Sequence, residues 1–320
     1  MFGSIFRDAV HPPLHYVVVK MVLYSGAPGI WAIRIPSIAA GLGTVFVLSR
    51  FALRYPEQRG AIYAAMLGCA VNDQFLRAMQ MGRAYALETF LIVLLLYMVL
   101  DPVPRPQIIL VVAAALAYTH YLGVLYALGI CLVCRDRQRL KSLVIGASSI
   151  VLWLPLVLPV FADAGTINKG TLWQPIPTYA DLSAITLGWI ASCSHQVFSL
   201  AVPILLIGLA IWSFRAGNQL ASYAATLAFF TPALTFLLTR WPLEIHIFIQ
   251  RYYLPSVPFA MVLVAMWSIR VFRVTPFRSQ APWIVAALLL AMNLPFTMQA
   301  KYTQDTIRLR LICWQSALRP

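Results

Sequence analysis

The chain has 320 residues, of which 61% are hydrophobic and only 11% charged, and its net charge is +14. Soluble domains run at roughly 45–50% and 25% for the same two classes, so a soluble fold would have nowhere to bury this apolar surface. The composition is that of an integral membrane protein, and no segment has soluble composition, so one membrane domain is expected. The positive charge points to loops that face anionic lipid. No basic face interleaved with aromatics lies outside the apolar runs, and nucleic acid is set aside as a partner.

Residues 1–10 contain Arg7 and Asp8 and no apolar core of a signal peptide. His11-Pro12-Pro13-Leu14-His15-Tyr16 follows. The two prolines fix the backbone, and Pro13 restricts Pro12 before it. Two imidazoles that titrate near neutrality are thus held in a rigid segment, as a site requires. Residues 12–27, which include Lys20, predict an interfacial helix, not a crossing.

Apolar runs then fall near 35–52, 60–76, 84–100, 107–119, 121–134, 142–161, 199–214, 220–238, 252–269 and 281–299. Most approach the roughly 20 residues of a spanning helix, and helices satisfy their own backbone in lipid. The expected fold is therefore all-α and polytopic, with about ten spans. Arg50, Arg54 and Arg59 fill one connection, Arg105 another, and Arg135, Arg137, Arg139 and Lys141 a third. Arg215 sits in the next, and Arg270, Arg273 and Arg278 in the last. The positive-inside rule makes these five connections cytoplasmic. Residues 1–34, 77–83, 120, 162–198, 239–251 and 300–320 then lie outside, with both termini external. A short external N-terminus needs a means of export, so a further span upstream of Met1 is expected and the chain reads as N-terminally truncated. Residues 1–34 are then the remnant of a first external loop, 35–299 the transmembrane domain and 300–320 an external tail.

Residues 107–134 hold two helices in about 42 Å of helix length, against roughly 60 Å for two full crossings. The turn at Thr119-His120-Tyr121 should therefore lie below the outer interface, in protein or in a water-filled cavity. The 162–198 connection, with Trp173, Pro175, Pro177, Tyr179 and Trp189, reads as a stiff lid or interfacial hairpin. Five cysteines make no disulfide framework; Cys131 and Cys134 read as small buried hydrophobes.

All five histidines (His11, His15, His120, His195 and His246) map to the external side. They either share a functional cavity or are tolerated at an interface. Short external loops avoid arginine unless something retains it, yet Arg83 sits in one, and Glu88 lies one turn inside the membrane, where a charge is costly. A functional pair and an internal structural contact both fit. Arg251-Tyr252-Tyr253-Leu254-Pro255 places an arginine fork at the outer start of another run, suited to phosphate beside rings suited to a sugar. Interfacial anchoring by aromatics is the competing reading. Arg34 and Lys20 complete the external basic set. A substrate carrying phosphate on a long lipid satisfies all of these groups together.

The chain resembles the GT-C glycosyltransferases that use polyprenyl-phosphate sugars, in particular the family 39-like group of dolichyl-phosphate-mannose protein mannosyltransferases and the RgtA/B/C/D-like domain. His11-Pro12-Pro13-Leu14-His15-Tyr16 is similar to that family's H-P-P-L-Y-Y, Arg34-Ile35-Pro36-Ser37 to its R-x-P-S, and Gln80-Met81-Gly82-Arg83-Ala84-Tyr85-Ala86-Leu87 to its q-E-A-R-x-Y-A-L. His120-Tyr121-Leu122-Gly123 and Arg251-Tyr252-Tyr253-Leu254-Pro255 are similar to later landmarks, in order, over residues 10–260. Met81 stands where the family has an acidic residue, and the family's first span with its following carboxylate is missing.

The resemblance implies transfer of a sugar from a polyprenyl-phosphate carrier to a lipid, glycan or protein acceptor, at the external face of a bacterial inner membrane. The transfer would invert the sugar by direct displacement. The expected catalytic residues are Asp8, His11 and Glu88, with Asp8 or an absent upstream carboxylate as base. Arg83, His120 and Arg251 would bind the carrier phosphate, Tyr85 and Tyr252 would line the sugar pocket, and His15 would join them in binding substrate. No cofactor is required, though a divalent metal is compatible. The alternatives are a lipid or sugar transporter or flippase, for which related halves with broken helices are the signature, and an inactive truncated paralogue.

Overall fold

The computed structural model of the chain describes residues 12–156, 177–190, 208–209, 211–215, 217–240, 250–272 and 276–299. Among these the regular structure is helical throughout, with no strand. The helices are α1 (Leu14–Tyr24), α2 (Gly29–Arg54), α3 (Arg59–Val71), α4 (Asp73–Gln80), α5 (Ala84–Val99) and α6 (Pro106–Ala117). They continue with α7 (Tyr121–Val133), α8 (Arg137–Ser148), α9 (Tyr179–Ile190), α10 (Gln219–Arg240), α11 (Ser256–Phe272) and α12 (Ala281–Gln299).

Three helical stretches are long and apolar enough to cross a membrane, namely Gly29–Arg54, Arg137–Leu156 and Gln219–Thr239. The bent pair α4 and α5 makes a fourth if it counts as one span. Five apolar helices are shorter: α1, α6, α7, α11 and α12. The described residues thus replace ten uniform crossings with a mixture of long and short helices. Asn72 splits the 60–76 run into α3 and α4, while Met81–Arg83 and Thr119–His120 divide α4 from α5 and α6 from α7 at the turns expected between runs and leave helices too short to cross. The run at 199–214, the tail at 300–320 and most of the 162–198 connection lie outside the described residues.

The N-terminal segment forms the short helix expected of residues 12–27, as α1. The boundary at residue 35 moves, because α2 begins at Gly29, directly after Pro28 in an extended conformation. Arg34 therefore sits inside α2 and not in a loop before it. The backbone turn sets that start, whereas the apolar run begins a turn later.

Outward-facing side chains are apolar: Leu42, Phe46 and Leu53 on α2, Val111 on α6, Leu237 on α10 and Trp283 on α12 are each more than half exposed. Water would penalise such a surface, and hydrocarbon accommodates it. Inside, α2 packs on α5, α3 is wedged among α2, α11 and α12, and α10 links α11 to α7. α6 and α8 meet almost backbone to backbone, since a Cβ on Gly146 would lie 2.5 Å from the Leu110 carbonyl oxygen. Small residues permit this approach, which supplies dispersion contact where lipid removes the hydrophobic drive. Cys69, Cys131 and Cys134 are free thiols.

The connections separate into two sets. At one end, Arg54 donates to Asp101 Oδ2 at 3.0 Å and to the Tyr97 carbonyl at 2.9 Å, with its guanidinium 3.8 Å from the Tyr97 ring centre. Arg139 donates to the Val99 carbonyl, so two arginines satisfy the last carbonyls of α5. Burial pushes the Asp101 carboxyl up, but the Val103 amide and the Arg54 guanidinium outweigh it and hold the group below its ordinary value. The arginine-bearing connections around residues 54, 101 and 139 therefore meet one another. At the other end, the Leu14 amide donates to the Tyr118 carbonyl at 2.9 Å, and the histidine-bearing turns gather there.

One fully buried polar pair ties α3–α4 to α12. Asn72 Nδ2 donates to Asn293 Oδ1 at 3.0 Å, while Asn72 Oδ1 caps α4 by accepting the Phe75 amide. Asn72→Ala removes both the cap and the bond to Asn293. It should cost about 2–3 kcal/mol, read as a lower thermal midpoint in detergent, whereas Asn72→Asp keeps the cap and loses less.

Candidate functional site

Three local breaks build the site. The first is the turn between α4 and α5, whose axes differ by 115°. Gly82 makes it possible: its φ is +62°, and a Cβ there would come 2.1 Å from Ile33 Cγ2. Arg83 follows in extended conformation as the N-cap of α5, and the Ser37 hydroxyl donates to its carbonyl at 3.2 Å. The second is the turn into α7, where Thr119 is buried and His120 is the N-cap. Thr119 is thus enclosed by protein, while the His120 side chain keeps 15% of its surface exposed. The third is a 3-10 turn over Gln250–Tyr253 that leads into α11; the Tyr253 hydroxyl, 2.7 Å from Thr235 Oγ1, anchors it to α10.

Glu88, one turn into α5, has no solvent exposure. Its Oε1 lies 3.4 Å from His120 Nδ1, and neither carboxylate oxygen accepts a hydrogen bond. The same Nδ1 lies 3.3 Å from the Leu122 amide. One nitrogen cannot serve both. Unprotonated, it accepts from Leu122; protonated, it donates toward Glu88. The His120 ring sits between Tyr252 and Tyr85, with centroids 5.2 and 5.7 Å away, and the tyrosine rings are 5.8 Å apart. Arg251 approaches the Tyr252 ring at 5.8 Å, and its buried Nε has no partner. Glu88 also acts electrostatically on the Tyr85 and Tyr126 phenols.

Tyr85, Glu88, His120, Arg251 and Tyr252 are thus brought together, with Arg83 beside them at the turn. His15 is placed differently. Its Nε2 donates to the Gly82 carbonyl at 3.1 Å, which makes it a brace for the turn, while its buried Nδ1 remains unbonded. Burial, first, and the nearby Arg83 lower the His15 pKa to about 4, against the opposing Gly82 bond. The unfolded chain binds a proton near pH 6.5, so the brace is fully stabilising above that value and is lost as pH falls toward 4. The thermal midpoint should drop across that window, by up to roughly 3 kcal/mol of stability. His15→Gln, which keeps a donor for Gly82, should flatten the dependence.

Asp8 and His11 lie outside the described residues, as do His195 and His246. Sequence reasoning missed Tyr126 and Ser256, whose hydroxyls are 3.0 Å apart, with Ser256 donating to the Leu227 carbonyl. Hydroxyls inside apolar runs need a partner, but nothing local says which one each finds across 130 residues. Among the described residues no three His, Cys, Asp or Glu side chains converge as a metal site needs. No family model, curated protein or solved structure matches the chain.

Proposed function

We propose that the chain is a polytopic GT-C-like membrane glycosyltransferase, with its site facing the exterior or periplasm, that transfers a sugar from a polyprenyl-phosphate carrier to a lipid, glycan or protein acceptor. The observation that carries this reading is a fully buried carboxylate, Glu88, beside an imidazole, two tyrosine rings and an arginine with a free buried donor. A structural ion pair would have satisfied these groups; here a polar ligand completes them. Apolar helices around the cluster suit a polyprenyl tail.

Arg251 and Arg83 hold the carrier phosphate and stabilise the charge that grows on it. Tyr85 and Tyr252 flank the sugar. The acceptor hydroxyl oxygen bonds to the anomeric carbon from the face opposite the phosphate. Its proton passes to Glu88, and the carbon–oxygen bond to phosphate breaks, with both electrons leaving on polyprenyl phosphate. Inversion follows from the single displacement. His120, with Nδ1 3.4 Å from Glu88 Oε1, holds the carboxylate toward the acceptor.

Binding of undecaprenyl phosphate to the purified chain tests the arginine assignment. Arg251→Ala should weaken it by roughly 10- to 100-fold, and Arg251→Lys by less. Equal affinity in all three proteins would remove Arg251 from the site.

A further inference from the structure

At the opposite end from Glu88 lies a cavity of about 1190 Å³, bounded by the connection before α3, the start of α10, the end of α11 and the start of α12. Ser256 begins α11 beside the first site, and Arg270 on the same helix lines this cavity about 20 Å further along. None of the residues argued above to bind or transfer sugar contributes to it. The site is independent of the transferase reading.

Its polar side is basic. Arg270 and Arg278 line it, and neither makes an ion pair among the described residues; Glu57 is the single carboxylate in the lining. Trp212 holds the Arg270 guanidinium 5.4 Å from its ring centre, which orients the fork without neutralising it. The starts of α3, α10 and α12 all border the cavity and add partial positive charge. Its other side is apolar, formed by Met266, Ile269 and Pro282. Trp283 and Val271, the next residues in the chain after the lining residues Pro282 and Arg270, are 74% and 45% exposed.

A basic cavity with an apolar wall, flanked in sequence by exposed apolar side chains, fits an amphiphile with an anionic head. We propose that this cavity binds the phosphate headgroup of an anionic glycerophospholipid, with Arg270 and Arg278 on the phosphate and the acyl chains lying along α11 and α12. Basic pockets between membrane helices take headgroups of this kind, and each arginine near the surface contributes about fivefold in affinity.

The test uses the full chain in nanodiscs of phosphatidylcholine, alone or with equal parts phosphatidylglycerol, and reads phosphatidylglycerol retained on the protein by native mass spectrometry. The wild-type chain should retain it selectively. Arg270→Gln with Arg278→Gln should reduce retention by roughly thirtyfold, while Arg50→Gln with Arg137→Gln, an equal loss of exposed charge elsewhere, should leave it intact. Equal losses in the two double variants would overturn the proposal, since general surface charge would then suffice. Trp212→Leu removes no charge but frees Arg270, and should lower retention about fivefold even if the arginine double variant fails to fold; unchanged retention also overturns the site. Inorganic phosphate added to phosphatidylcholine nanodiscs separates the two sources of phosphate. Protection from thermal unfolding by phosphate alone, without selective retention of phosphatidylglycerol, would replace the lipid with a soluble phosphate compound and overturn the lipid assignment.

Discussion

Glu88→Gln should abolish sugar transfer, lowering turnover by about 10²- to 10⁴-fold, while the protein folds as well as the wild type or better. The two expectations come from one fact. The Glu88 carboxylate is fully buried and no hydrogen bond satisfies either oxygen. An unsatisfied buried carboxyl is destabilising to the fold, and under the proposed function its place beside His120 at 3.4 Å is that of the group that takes the acceptor's proton. Glutamine keeps the shape and removes the basicity. A group held for structure would behave in the opposite way: its loss would break the His120 contact, lower the thermal midpoint and leave turnover proportional to folded protein. Turnover from initial rates and a melting curve on the same preparation separate the two.

The second large effect is at Gly82. Gly82→Ala should destabilise the protein by about 2–5 kcal/mol and reduce turnover beyond that loss. An alanine at φ +62° costs roughly 1–2 kcal/mol on backbone grounds, and its methyl would collide with Ile33 Cγ2, adding an overpacking cost of about 1–3 kcal/mol. The turn cannot relax freely, because the Gly82 carbonyl accepts from His15 and the Arg83 carbonyl from Ser37. Any shift moves Arg83, Tyr85 and Glu88 together, and small misplacements of catalytic groups are amplified in rate. Ile33→Ala in the Gly82→Ala background removes the methyl collision but not the backbone strain or the 3.0 Å approach to the Ile33 carbonyl. It should recover part of the stability and little of the turnover.

The sequence carried the helical class and the identities of the clustered residues, because intramembrane ionisable groups are expensive and few. Glu88 stood out for that reason, Arg83 as an arginine in a short external loop, His120 in the turn of a pair of helices too short for two crossings, and Arg251 at the outer start of a run; the structure gathers them at one end of the bundle. The residue count of 107–134 also matches two short helices, α6 and α7, joined at the Thr119–His120 turn. Three things were not legible. Apolar content cannot tell one long helix from two short ones, so the break at Asn72 was hidden inside the 60–76 run, and the helix Asp73–Gln80 with its 115° bend into α5 was not foreseen. The role of His15 depends on a carbonyl 67 residues away in the chain, which no local pattern reports. Ser256 and Tyr126 form a pair separated by 130 residues, and each alone is an unremarkable hydroxyl.

The most direct measurement supplies the purified chain in nanodiscs with a polyprenyl-phosphate sugar, labelled in both sugar and lipid, and a membrane lipid extract as acceptor source. Release of free polyprenyl phosphate, with the sugar appearing on a new product and with both lost in Glu88→Gln, is the predicted result. Carrier that crosses the bilayer intact with no cleavage would make the protein a flippase and contradict the transferase reading.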